Sequence, residues 1–284
     1  MSAFTQTQLE RIYAMLRWVE DPETPQGYER YQRILRDMER LTAHPWIQDI
    51  LRGRRMVRVI DVCSGTGLAG IALSRILRGG GFEVKLTLVD LRLSSLEKGR
   101  KFAMQELGVE PGIVVVDVTQ PLSLPEVHDI ALLWGFTTPH FNPWLWVKVL
   151  VNVSRALVDY GVFVYEEGDR VYDIFIKTGF KDVIPMVAEG SRVALDVFAG
   201  RNGRTGDTKR IIVDLLTGEH VEMNVYYWDI ASSTTLTWIF FEDIDFMPAR
   251  SPFSGFILAR KPRRVIKPED FTLENPTIIS HQTK

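Results

Sequence analysis

The residues best placed to do chemistry in this 284-residue chain are acids, glycines and aromatics at the ends of apolar runs. Gly65-Thr66-Gly67-Leu68-Ala69-Gly70 is a complete G-x-G-x-x-G, directly after the β-branched run 57–62. Glycines there let the backbone turn tightly and bring its N–H groups against a ligand. Asp90 lies twenty residues past Gly70, at the end of the run KLTLVD. Together these match the fingerprint for a dinucleotide held by its pyrophosphate and ribose. Asp61, inside the strand and four residues before Gly65, is at odds with that reading. A carboxylate at that point repels an anion and suits a ligand that carries an ammonium group.

Further candidates follow the later apolar runs. Asp117 follows a third run, and Trp134, Phe136, His140 and Phe141 follow a fourth. Glu166, Glu167 and Asp169 follow a fifth. A carboxylate has two acceptor oxygens and suits two adjacent hydroxyls. An imidazole can hold an acceptor or move its proton near neutral pH. Acids beside aromatic rings can hold a cationic amine, and they can equally be a solvated, ion-paired loop end.

The elements that must position these residues alternate. Strands are expected at 57–62, 83–90, 112–117, 128–134 and 161–166, with helices at 66–78, 94–107 and 142–157 between them. Glycines 79–81 and Gly108 stop the first two helices. Such a series implies a parallel sheet with helices on both faces, and ligands bind at the carboxyl ends of its strands. Upstream, amphipathic helices are expected at 5–20 and 26–43 and a short one at 45–51, separated by the breaker Asp21-Pro22-Glu23-Thr24-Pro25. Tyr28, Tyr31 and Arg33 stand there at the helical spacing of a packing face.

Asp61-Val62-Cys63-Ser64-Gly65-Thr66-Gly67 resembles motif I of class I S-adenosylmethionine (SAM)-dependent methyltransferases, written D/E-x-G-x-G-x-G, with Cys63 in place of the first glycine. The resemblance covers 57–166 and the far C-terminal strand. It implies a Rossmann-like, mostly parallel seven-stranded sheet with an antiparallel final strand, and SAM as cofactor. On that resemblance Asp61, Cys63, Ser64, Gly65 and Gly67 form the cofactor turn, Asp90 binds the ribose, and Leu91 and Val118 flank the adenine. Asp117 lies near the adenine amino group, and Trp134 is a cofactor-binding candidate at the strand end that faces the methyl acceptor. The resemblance also implies that Tyr28, Tyr31 and Arg33 cover a ligand, instead of only packing. His140 and Glu166 become the catalytic candidates; Phe136, Phe141, Glu167 and Tyr227 become candidates for holding a small-molecule acceptor. The alternatives are a nicotinamide-dependent oxidoreductase on the same glycines, a methyltransferase of tRNA or protein, and a SAM-binding module without catalysis.

Beyond 166 the alternation stops. Residues 209–216 and 219–228 read as a β-hairpin joined by Thr217-Gly218, an insertion at about 170–228 that covers the acceptor. Residues 199–207, rich in glycine and arginine, read as a mobile connector, with anion binding as the alternative. A helix at 230–240 and strands at 242–247 and 254–260 close the sheet. A competing arrangement has the last helix at 171–178 and the sixth strand starting near 179–183. The chain thus divides into a helical lid, 1–56, and a cofactor-binding domain, 57–284.

Bulk properties narrow the partners. A net charge of −2 and a pI of about 6.2 disfavour nucleic acid. One cysteine excludes an intrachain disulfide and fits a reducing, cytoplasmic setting. No signal peptide and no apolar run of membrane-spanning length is visible, and no metal-ligand spacing appears.

Overall fold

The computed structural model describes residues 4–16, 18–121, 127–189, 192–267, 270 and 276–280. Three helices come first: α1 (Gln6–Leu16), α2 (Pro25–Thr42) and α3 (Pro45–Leu51). The alternating region then gives β1 (Met56–Val62), α4 (Leu68–Gly79), β2 (Glu83–Asp90), α5 (Leu93–Leu107), β3 (Gly112–Val115), β4 (His128–Leu133), α6 (Pro143–Ala156) and β5 (Leu157–Gly168). A 3-10 turn, Thr138–His140, lies between β4 and α6. After β5 comes a π-helical segment, Val171–Lys177, and then β6 (Val183–Glu189), β7 (Arg192–Arg201), β8 (Thr208–Asp214) and β9 (His220–Val225). Helix α7 (Ile230–Phe240), β10 (Phe241–Ser251) and β11 (Ser254–Pro262) complete the core of the fold, followed by the short α8 (Thr277–Ser280).

Seven strands form one sheet in the order β10-β11-β5-β4-β1-β2-β3. Strands β1, β2, β3, β4 and β5 pair in parallel, while β11 is antiparallel to both β5 and β10. The order reverses between β1 and β4. That switch point puts the loops after both strands beside one crevice. The expected closing pair is present. Strand pattern explains the layers: Val57 and Val59 face α2, α4 and α5, while Ile60 and Val62 face α6 and α7. Burying large side chains such as Trp146, Trp228, Phe163 and Phe256 stabilises this core by about 2–3 kcal/mol each.

The insertion is larger than the expected hairpin. Strands β6-β7-β8-β9 form a separate antiparallel sheet. Pro185 masked the first of these strands; it is tolerated because β6 is an edge strand with an irregular register beside the proline. The segment 171–177 is indeed helical, but the strand after it joins the second sheet instead of closing the first. The glycine- and arginine-rich loop is pinned rather than loose. Asn142 donates to Asp207 at 2.8 Å, and the Trp144 indole donates to the Arg204 carbonyl at 3.2 Å.

Helix α1 packs on the second sheet. Its Ile12 and Met15, with Phe4, pack on Ile212, Val221, Met223 and Val225. Its stripe was legible, but it ends at Leu16 rather than continuing to 20. Of the residues expected to cover a ligand, Tyr31 is fully buried against Phe102 and donates to Glu106 at 3.0 Å. Tyr28 is exposed, and Arg33 pairs with Glu29 on the surface.

Candidate functional site

The turn after β1 is shaped by left-handed residues. Cys63, Gly65 and Gly67 all have positive φ, and Gly67 caps α4. Asp61 lies at the base of this turn. One carboxylate oxygen, Oδ2, accepts the Gly70 N–H at 2.8 Å; the other, Oδ1, is buried with no protein partner among the described residues. A Cβ on Gly70 would fall 2.9 Å from Oδ2, so only glycine admits this contact. Burial, with the nearby charge of Asp90, pushes the Asp61 carboxyl up to about 7, against the pull of the Gly70 N–H.

Asp90 ends β2. Its Oδ2 accepts the Gly65 N–H at 2.7 Å, and its Oδ1 accepts the Arg92 N–H at 2.9 Å. The Arg92 guanidinium forks onto both oxygens of Glu20, at 2.6 and 2.9 Å, and lies 4.3 Å over the Tyr13 ring. Glu20 stands directly above the glycine turn: a Cβ on Gly65 would come within 2.8 Å of its carboxylate. Asp117, just past β3, accepts the Thr119 N–H and hydroxyl at 2.8 and 2.7 Å.

The loop after β4 forms the other wall. Trp134 stacks on Phe256 with ring centres 4.6 Å apart. Gly135 and Phe136 both have positive φ, and the Gly135 N–H donates to Glu166 at 3.0 Å. His140, on the 3-10 turn, meets the Tyr13 hydroxyl at 3.1 Å through Nε2, with Phe4 edge-on at 5.1 Å. Burial, and then the charges of Arg170 and Arg92, pull this imidazole down to about 4, so it is neutral at pH 7. Burial pushes the Tyr13 phenol up.

These groups line one cavity. Around it stand Asp61, Cys63, Ser64, Gly65, Asp90, Leu91, Asp117, Val118, Trp134, Phe136, His140 and Phe141, with α1 and the β9 residues Met223 and Val225 as a roof. No family model and no curated protein matches the sequence. Solved structures do match the backbone. A protein from Pyrococcus horikoshii OT3 superposes with a TM-score of 0.60 at 14% identity, covering 89% of this chain and 99% of that one. A SAM-dependent methyltransferase from Clostridium acetobutylicum ATCC 824 gives 0.52 at 13%, covering 82% and 97%. The CcbJ methyltransferase of Streptomyces caelestis gives 0.54 at 13%, covering 76% and 85%. The chain has the class I SAM-dependent methyltransferase fold.

Within this methyltransferase fold, four residues singled out in the sequence do not line the cavity. Gly67 is turned into the β2 side, where a Cβ would strike Leu88 at 2.8 Å. Glu166 opens on a neighbouring hollow, together with Arg30 and Trp18. Glu167 is fully buried, paired with Arg170, and accepts the Thr138 hydroxyl at 3.0 Å. Burial raises its carboxyl. Tyr227 packs against Phe175 and Phe180, away from the cavity. Conversely, Tyr13, Glu20, Arg30 and Arg92 line the cavity without having been singled out. Tyr13 was visible only as one member of an apolar stripe, and nothing in the local sequence marks Glu20.

Arg30 sits where the two hollows join. It donates once, to the Val19 carbonyl at 2.6 Å, and lies 4.7 Å over Trp18. Among the described residues no carboxylate stands within ion-pair distance of it.

Cys63 is a half-buried thiol that burial and the charges of Asp90, Asp117 and Asp61 push up, which disfavours the thiolate that a nucleophile needs. Its positive φ of 54° is one that glycine adopts freely, whereas the left-handed conformation costs other residues about 1–2 kcal/mol. Cys63→Gly should therefore bind S-adenosylhomocysteine (SAH) within a few-fold of wild type and unfold at the same or a slightly higher temperature. Calorimetric titration and a melting curve check this. Loss of binding in a folded Cys63→Gly protein would assign the thiol a role.

Proposed function

We propose that the protein is a SAM-dependent methyltransferase acting on N, O or S of a small molecule. The carrying observation is the row of acids Asp61, Asp90 and Asp117 at three successive strand ends around one cavity. The unpartnered Asp61 Oδ1 suits the ammonium group of the cofactor, and Asp90 suits two ribose hydroxyls. Leu91 and Val118 supply apolar contacts for the adenine and Asp117 an acceptor for its amino group, while Arg30, on the cavity wall, offers its guanidinium to the cofactor carboxylate. When bound, SAM supplies an electrophilic methyl group. The work left to the chain is to orient the acceptor and to exclude water. Phe4, Ile12, Phe136, Phe141, Met223 and Val225 give the acceptor end an apolar wall, the usual make-up of a small-molecule site. His140 and Tyr13 bring polar groups to that wall.

A nicotinamide cofactor fits worse. Its pyrophosphate would approach the glycine turn, where the Gly65 N–H is already taken by Asp90 and the Glu20 carboxylate lies overhead. Isothermal titration with SAH and with NAD separates the two readings. Heat with SAH and none with NAD is the expected result; heat with NAD alone would overturn the proposal.

A further inference from the structure

The strand-end acids account for the cofactor end of the cavity, but not for the contact between Tyr13 and His140. The two side chains come from elements 127 residues apart, α1 and the turn after β4, and meet at 3.1 Å in a partly buried position. His140 Nδ1 has no protein partner among the described residues, although the ring lines the cavity. Nε2 is therefore committed to Tyr13, and Nδ1 is the atom left for a ligand.

Either atom of the pair could carry the shared proton, and chemistry decides between them. A phenol is the stronger acid of the two, ordinarily near 10, and a bare imidazole nitrogen is a stronger acceptor than a phenol oxygen. Tyr13 has no other hydrogen-bond partner for its hydroxyl among the described residues. The bond is thus Tyr13 O–H to His140 Nε2. A neutral imidazole whose Nε2 accepts must carry its proton on Nδ1. A buried N–H without an acceptor is costly, so this one marks where an oxygen belongs.

We propose that Tyr13 is a positioning residue that fixes His140 in its Nδ1–H tautomer, and that this N–H holds a carbonyl or anionic oxygen of an apolar acceptor. The second half rests on the methyl-transfer reading; the first does not. An imidazole so held donates a hydrogen bond and does not take up the acceptor's proton. Acceptors that reach the site already nucleophilic, such as carboxylates, are then favoured over alcohols that need a base.

The test is long-range proton–nitrogen correlation spectroscopy of the full-length, nitrogen-15-labelled protein, with His140→Gln to assign the ring. In the wild type the Nδ1–H form should exceed the Nε2–H form by about tenfold or more, one hydrogen bond's worth of bias. In Tyr13→Phe the two forms should become comparable. A bare Nδ1 in the wild type, or an unchanged ratio in Tyr13→Phe, overturns the proposal. Should Tyr13→Phe not fold, fluorotyrosine incorporation is the substitute: a more acidic phenol should shift the Nε2 resonance, and no shift is the overturning result. These spectra need no cofactor, so their outcome is independent of the SAH titration. For the second half, benzoate added to SAH-loaded protein should move the Nδ1 proton and benzylamine should not. Movement with benzylamine alone, or with neither at millimolar concentration, removes the oxygen-holding role.

Discussion

Replacing Asp90 with alanine should weaken both the cofactor site and the fold. The carboxylate is buried and accepts two backbone N–H groups, from Gly65 at 2.7 Å and Arg92 at 2.9 Å, with the Arg92 Nε at 3.4 Å besides. Alanine leaves both N–H groups without an acceptor in a dry place, at about 1–3 kcal/mol each. The expected loss of stability is therefore roughly 2–5 kcal/mol, read by chemical denaturation without ligand. Hydrogen bonds from ribose hydroxyls to a charged acceptor add about 2–4 kcal/mol of binding, so SAH affinity should fall by about thirty-fold or more. Asp90→Asn separates the two effects, because one amide oxygen can still accept an N–H from the turn. Unchanged SAH affinity in a destabilised Asp90→Ala protein would leave the residue a purely structural role.

How much of this site could be read from the chain depended on whether its residues are bound by local geometry. Asp61, Gly65 and Asp90 belong to strand–turn–helix units that the β-branched runs and glycines fix within a few residues. Their places were legible for that reason. The residues at the end of β5 and beyond it were not. Glu166 and Glu167 are neighbours on a strand, so their side chains leave opposite faces. Glu166 turns to the Gly135 N–H, and Glu167 to Thr138 and Arg170. Run-of-sequence reasoning cannot say which face meets a cavity. Tyr227 fails similarly: β9 ends at Val225, and the aromatic run beyond it leaves the sheet. Trp228 turns inward instead, its indole donating to the Thr138 and Phe141 carbonyls.

The residues that were missed are those placed by tertiary contacts. Glu20 reaches the glycine turn because the chain bends between α1 and α2, a bend that carries Glu20 and Asp21 toward α5 rather than away. Its partner Arg92 is 72 residues away in sequence, and no periodic pattern records such a pair. Tyr13 shares its stripe with Ile12 and Leu16. At helical spacing a tyrosine that packs looks the same as one that aims its hydroxyl at a histidine. The second sheet was half legible for a further reason. A proline in an edge strand costs the fold little, but it breaks the alternation by which strands are found.

Asp61→Asn should have opposite effects on stability and on binding. Burial is the main reason that the Asp61 carboxyl sits at about 7, since one N–H from Gly70 does not compensate for the water it has lost. Its pKa in the unfolded chain is about 4, so the folded protein prefers the protonated form. Below about pH 4 the group is neutral in both states and costs nothing. As the pH rises from there to about 7 the unfolded chain gives up its proton first, and stability is lost, reaching a plateau of a few kcal/mol above pH 7. Asparagine keeps an acceptor for the Gly70 N–H and cannot ionise. The variant should thus be more stable than wild type at pH 8, by roughly 2–4 kcal/mol, with the difference vanishing near pH 4. Binding should move the other way. If Asp61 pairs with the cofactor ammonium, wild-type SAH affinity should tighten as the pH rises from 6 to 8 and the carboxyl ionises. Asparagine should flatten that profile and lower affinity at pH 8 by about a hundred-fold, the loss of one buried charge-assisted pair. Denaturation and titration at pH 6 and pH 8 on both proteins decide the matter. A variant with full SAH affinity at pH 8 would move the ammonium site away from Asp61, and one that loses stability at pH 8 would show that the carboxylate is better solvated in the fold than its burial implies.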